Sequence, residues 1–187
     1  MADELFDIVN EDNIVVAQAP RSVAHRDGLW HRGVDIFLFT PDGKLLVQKR
    51  SPTKDTFPSA LECSVGEHVQ AGEDYTRAAV RGLSEELGLA GITLVPLMEF
   101  SMRDDSNDNE INQLFEGMVD PVAVRFDPNE IASVAYYTLA ELGVMLDAGD
   151  VPFSRWFKQL VYWYLGKPNA LHIRQQFNSS SLKTHHS

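Results

Sequence analysis

The stretch 66-GEHVQAGEDYTRAAVRGLSEELGL-89 decides how the rest of the chain is read. It opens on glycine and acid, then takes on helical period from about Glu73 to Leu87, with Gly88 placed for a left-handed C-terminal cap. Ala79, Val80, Leu83 and Leu87 recur at spacings of three and four, which predicts one apolar face against a sheet. Arg77, Arg81 and Glu85 follow at i, i+4 on another side, so the acidic face is expected to turn away from the core. Gly82 works against the helix, because a mid-helix glycine costs roughly 1 kcal/mol relative to alanine.

Working outward, VDIFLFT, the turn PDGK and LLVQKR form the clearest hairpin signal, and SPTKDTFPSA reads as a loop before a short strand LECSV. Residues 6–9 and 14–17 flank a turn-rich cluster and predict an N-terminal hairpin. Downstream, ITLVPLMEFSM and EINQLFEGMV predict two strands joined by the polar loop RDDSNDN. SVAYYTL reads as a last strand, LAELGVML as a short helix, and SRWFKQLVYWYLG as a final helix. In that final helix Trp156, Phe157, Leu160, Val161 and Tyr164 are expected to pack in the core, with a homodimer contact as the other use. The elements amount to one α/β (α+β) domain over residues 1–167, with residues 168–187 as a polar C-terminal tail, frayed from Asn169 onward.

Composition narrows the ligand. With 187 residues, 44% hydrophobic and 23% charged, the chain has the make-up of an ordinary globular domain. A net charge of -11 argues against a nucleic acid polymer or an anionic membrane as partner, so an anionic ligand needs local positive charge or a cation. The lone Cys63, the opening MADELFDIVNED and the lack of a long apolar run predict a cytoplasmic location. Carboxylates gathered on one helix face, Glu85 and Glu86 beside Arg81, are the donors a hard cation such as Mg2+ or Mn2+ takes while it bridges to substrate phosphates. A solvated face of ordinary Arg/Glu pairs is the plainer reading of the charge pattern alone.

The spacing adds a resemblance. Glu73, Arg81, Leu83, Glu85, Glu86, Gly88 and Leu89 fall in the register of the Nudix box, the signature of the Nudix hydrolases, with Gly66 and Gly72 suiting its glycine positions. Two positions depart from it: Glu67 stands where the signature has a glycine, and Gly82 where it has the glutamate after arginine. Over roughly residues 5–165 the chain is similar to the Nudix subgroup related to type I isopentenyl diphosphate isomerase, which implies an α/β/α sandwich around a mixed sheet. The resemblance also implies that the Gly66 carbonyl, Glu85, Glu86 and Glu110 hold Mg2+ or Mn2+, and that Arg81 orients the glutamates. Glu73 would brace the loop or the helix start, and Glu110 would bind metal or act as base, with Asp105 or Asp108 able to share that work. Lys49, Arg50, Lys54 and His31 would contact a small-molecule diphosphate substrate.

Three functions follow from this pattern: a hydrolase of a nucleoside-diphosphate-linked or related diphosphate, a binding module weakened by Gly82 and Glu67, and an isomerase. In the isomerase His25, His31, His68, Asp108 and Glu110 approximate a metal site, but its thiol belongs at Gly66, and Cys63 lies three residues earlier on an expected strand.

Overall fold

The computed structural model describes residues 3–102 and 109–177. In chain order the elements are β1 (Leu5–Val9), β2 (Val15–Pro20), α1 (Arg21–Asp27), β3 (His31–Phe39), β4 (Leu45–Arg50), β5 (Leu61–Glu62) and β6 (Val65–His68). Then come α2 (Tyr75–Leu87), β7 (Val95–Met102), β8 (Glu110–Met118), β9 (Ile131–Tyr137), α3 (Leu139–Ala148), α4 (Arg155–Tyr164) and β10 (His172–Gln176).

β3 is the centre of a mixed sheet. Its apolar residues alternate between two separate cores: Val34, Ile36 and Leu38 pack with Ala78, Ala79, Leu83 and Leu87 of α2, while Phe37 and Phe39 pack with Phe157, Leu160 and Val161 of α4 and Leu142 of α3. A strand buried on both faces needs cover on both, and the helices supply it, giving the α/β/α sandwich. β8 runs parallel to β3 from His31↔Glu110 to Phe39↔Met118, and β6 runs antiparallel to β3 from Gly33↔His68 to Ile36↔Val65. β4 pairs with β5 and β9, and β7 lies between β8 and β10.

Several expectations change. The tail expected to fray from Asn169 contributes β10, an edge strand paired with β7; Ile173 packs on the α4-side core and Arg174 bonds Glu99 at 3.0 Å. The LECSV strand is two strands, β5 and β6, with Cys63 in the break between them. α1, unforeseen, follows Pro20 and ends on Gly28 in the left-handed conformation. On α2, Val80 is 50% exposed, whereas Ala78, Ala79, Gly82, Leu83, Glu86 and Leu87 are buried. The buried stripe is therefore rotated from the expected one, and it takes in Gly82 and Glu86. Trp156, Phe157, Leu160 and Val161 are buried as expected, and no described helix is long and apolar enough to cross a membrane.

Candidate metal and active site

β6 divides the chemistry. Along its four residues, side chains alternate: Glu67 faces α2, while His68 faces the opposite side of the sheet and Glu110. Two clusters result, back to back.

On the α2 side, Asp74 caps the helix by accepting from the Arg77 N–H at 2.8 Å, and Gly88 closes it in the left-handed conformation that L side chains resist. Arg81, about two turns beyond the Asp74 cap, gathers the acids. Its Nε and Nη2 donate to Glu73 at 3.1 and 2.9 Å, its Nη1 reaches Glu67 at 3.0 Å and Glu85 at 3.3 Å, and Nη2 also donates to the His68 carbonyl at 2.7 Å. Burial opposes the guanidinium's charge, but the hydrogen bonds to Glu73 and the charges of Glu67, Glu73 and Glu85 outweigh it and hold it firmly protonated. Glu86 is buried and accepts from Gln48 Nε2 at 2.9 Å. Burial first, and then the charge of Glu67, push its carboxyl well above the usual range.

At Gly82 the helix packs directly on β6. A Cβ there would stand 2.8 Å from Val65 Cγ1 and 3.1 Å from Glu67 Cβ, so the glycine is a packing requirement of this interface.

On the other side, His25 from α1, His31 from β3 and His68 from β6 bring ring nitrogens within 4.8 Å of one another. Phe6 of β1 stacks on His31 and His68, with ring centroids 5.1 and 4.8 Å away, so the N-terminal hairpin roofs this cluster. Glu110 lies 3.6 Å from His31 Nε2 and 3.3 Å from His68 Nε2. Burial would raise the Glu110 carboxyl, but the imidazoles of His31 and His68 beside it prevail and hold it well below the usual range. Burial, then the charges of His68 and His31, push His25 down to about 4. His31 is fully buried, and its Nδ1 lies 2.9 Å from the Leu29 carbonyl.

The same face of β3 continues through Gly33 to Asp35. Gly33 has no room for a side chain: a Cβ would stand 2.7 Å from Asn112 Oδ1 and 3.1 Å from Glu110 Oε2. Asp35, fully enclosed, accepts from Asn112 Nδ2 at 2.9 Å and groups with Glu62 and Cys63. The Cys63 sulfur donates to the Val65 carbonyl at 3.0 Å and lies 3.8 Å from where a Cβ on Gly66 would be. The expectation that this thiol is remote from the Gly66 position is thereby corrected: the break between β5 and β6 releases Cys63 from strand alternation. Burial, with the charges of Glu62 and Asp35, pushes the thiol up, so it is a neutral S–H.

The expected site residues thus separate. Arg81, Glu85 and Glu86 share α2, with Glu85 59% exposed and Glu86 on the buried side. Glu110 and His31 belong to the histidine face. Lys49 is exposed, Arg50 is engaged by the Thr56 carbonyl at 3.0 Å and by Glu62 at 3.8 Å, and Lys54 pairs with Glu130. Asp105 and Asp108 lie outside the described residues. Sequence reading missed Gln48, Asp35 and Asn112; the signal available was an aspartate inside the apolar run VDIFLF.

Both clusters suit cations, of different kinds. Mg2+ keeps several waters and takes only one or two carboxylates from the protein, so Glu85 and Glu86, adjacent on α2, are enough to hold it. The crowding of Glu86 by Glu67 is what a cation would relieve. Three imidazoles with one carboxylate suit a transition metal instead.

Comparison with known proteins agrees with this architecture. The sequence model of the NUDIX domain matches residues 29–159. The chain is 37% identical over 145 residues to the uncharacterized Nudix hydrolase YfcD of Escherichia coli, covering 77% of this chain and 79% of that one. It is 45% identical over 91 residues to SCO1686 of Streptomyces coelicolor, another uncharacterized Nudix hydrolase, a match that spans 49% of this chain and 50% of that protein. The crystal structure of DR0079 from Deinococcus radiodurans superposes with a TM-score of 0.73 at 30% identity, covering 86% of this chain and 98% of that one. The box on α2, the sandwich that carries it and these likenesses agree: the chain belongs to the Nudix hydrolase family.

Proposed function

We infer that the chain is a metal-dependent hydrolase of a diphosphate linkage in a nucleoside-diphosphate-linked or related small molecule. The observation that carries this reading is the acid cluster on Arg81, with Glu86 buried behind it. A divalent cation, Mg2+ or Mn2+, bound at Glu85 and Glu86 would neutralise phosphate oxygens and make an attacking water more acidic. Arg81 fixes Glu67, Glu73 and Glu85 in place, so their carboxylates need no reorganisation when a diphosphate arrives. Gln48 holds the Glu86 carboxyl by one oxygen. The test is release of phosphate or monophosphate from a panel of diphosphates with added Mg2+. Turnover that survives Glu86→Gln unchanged counts against the reading.

A second reading draws on Cys63 beside Gly66, with Glu110 on the same face of β3 and β8: proton transfer at an allylic carbon of a prenyl diphosphate. Incorporation of deuterium from D2O into isopentenyl diphosphate, abolished by Cys63→Ala, would support it. The same panel without product but with ligand-induced thermal shifts would favour a binding module.

A further inference from the structure

Glu67 and Gly82 are explained together by one exchange of side chains across the contact between β6 and α2. We propose that Glu67 supplies, from the strand, the metal-facing carboxylate that a helix residue at position 82 would otherwise supply. The inference rests on the hydrolase reading for what the site does, but not for where the carboxylate comes from.

The space is the first argument. An ideal Cβ on Gly82 would stand 3.1 Å from Glu67 Cβ and 3.4 Å from Glu67 Cγ, so the stem of Glu67 fills the volume that a side chain at 82 would enter. Val65 Cγ1, 2.8 Å from that Cβ, must shift for any side chain at 82, and beyond it positions 67 and 82 cannot both carry a long side chain, because the Glu67 stem is already at or inside ordinary contact.

The second argument is how Glu67 is held. Its Oε1 accepts from the His68 N–H at 2.8 Å, and its Oε2 lies 3.0 Å from Arg81 Nη1, the same nitrogen that reaches Glu85 at 3.3 Å. Its side chain is 15% exposed, against 59% for Glu85, so it is the more fixed of the two. A carboxylate pinned at both oxygens still has an unused lone pair on each for a hard cation. Glu67 thus enters the Arg81 cluster from the strand just as Glu85 enters it from the helix.

The experiment is a cycle of four proteins, the wild type, Glu67→Gly, Gly82→Glu and the double exchange, with Mg2+ alone as the probe. Mg2+ prefers oxygen donors, which keeps it off the histidine cluster. Affinity is read by calorimetry and by the Mg2+-induced rise in melting temperature, and the fold of each metal-free protein by circular dichroism. Glu67→Gly should weaken Mg2+ by about tenfold or more, and the double exchange should recover most of that loss. Gly82→Glu alone should lower the metal-free melting temperature, since two side chains then compete for one space. Glu67→Gln, which keeps the shape, should weaken Mg2+ as well, so the conclusion survives if Glu67→Gly does not fold. Mg2+ affinity within about twofold of wild type in both Glu67 variants overturns the proposal, as does a double exchange whose metal-free melting temperature equals that of Glu67→Gly, so that Val65 has given way, yet which binds Mg2+ no better. Glu67-dependent Mg2+ binding without turnover would leave the proposal standing and remove the hydrolase reading; turnover unaffected by either Glu67 variant would do the reverse.

Discussion

Replacing Asp35 by asparagine should stabilise the protein, and by an amount that grows with pH. Burial, followed by the charge of Glu62, pushes the Asp35 carboxyl up to about 8 from an ordinary 3.8, against the hydrogen bond from Asn112. The folded chain therefore keeps this proton while the unfolded chain releases it above pH 3.8. Stability owed to Asp35 is fully present below that pH, declines through the window between the two values, and levels off above about 8. At pH 6 the separation from the unfolded value is about 2 pH units, equivalent to about 3 kcal/mol. Asparagine can still accept from Asn112 Nδ2 and has nothing to ionise. Urea unfolding of both proteins at pH 4, 5, 6 and 7, followed by circular dichroism, isolates the effect, because every other titrating group is common to the pair. The variant's advantage should rise by about 4 kcal/mol between pH 4 and pH 7. A difference constant to within about 0.5 kcal/mol would refute the reasoning, since Asp35 would then ionise in the fold as it does in the open chain.

Gly82→Ala should destabilise by about 1–3 kcal/mol despite alanine's better helix propensity, because the added methyl would stand 2.8 Å from Val65 Cγ1; a gain in urea midpoint would contradict this. Arg81→Met should cost about 3 kcal/mol or more by leaving Glu67 and Glu73 without their cation, and turnover should fall with it, as unfolding curves and the diphosphate assay would show. Ser154, fully buried, caps α4 by accepting from the Phe157 N–H at 3.2 Å, so Ser154→Ala should lower stability by about 1 kcal/mol with diphosphate turnover unchanged. Co2+ added to the metal-free protein should give visible absorption from nitrogen coordination that His68→Ala abolishes, and a spectrum indifferent to His68 would rule out the histidine cluster as its site.

Much of the fold could be read locally. The PDGK turn between two apolar runs fixes β3 and β4, and the 3.6-residue period and Gly88 fix α2 to within two residues at its start. Periodicity could not say which 100° of the helix would meet the sheet, and this placed Val80 inside and Glu86 outside, the reverse of the structure. β10 was invisible because an edge strand of polar residues draws its order from β7 rather than from its own pattern. In the site, the acids around Arg81 were legible from spacing. The meaning of Gly82 was not, because it depends on Val65 and Glu67, which reach it only through the packing of β6 under α2.

The alternation along β6 also limits how this gene can change. Glu67 serves the face under α2 and His68 the face under the N-terminal hairpin, so the strand carries two assignments one residue apart. A single codon inserted or deleted between Cys63 and Glu67, if absorbed as a slip against β3, would send each side chain to the other's face and empty both clusters at once. The turn at 70–74 offers no escape, because Glu73 holds Arg81 and Asp74 caps α2, so substitutions rather than insertions should be the tolerated route for retuning either cluster.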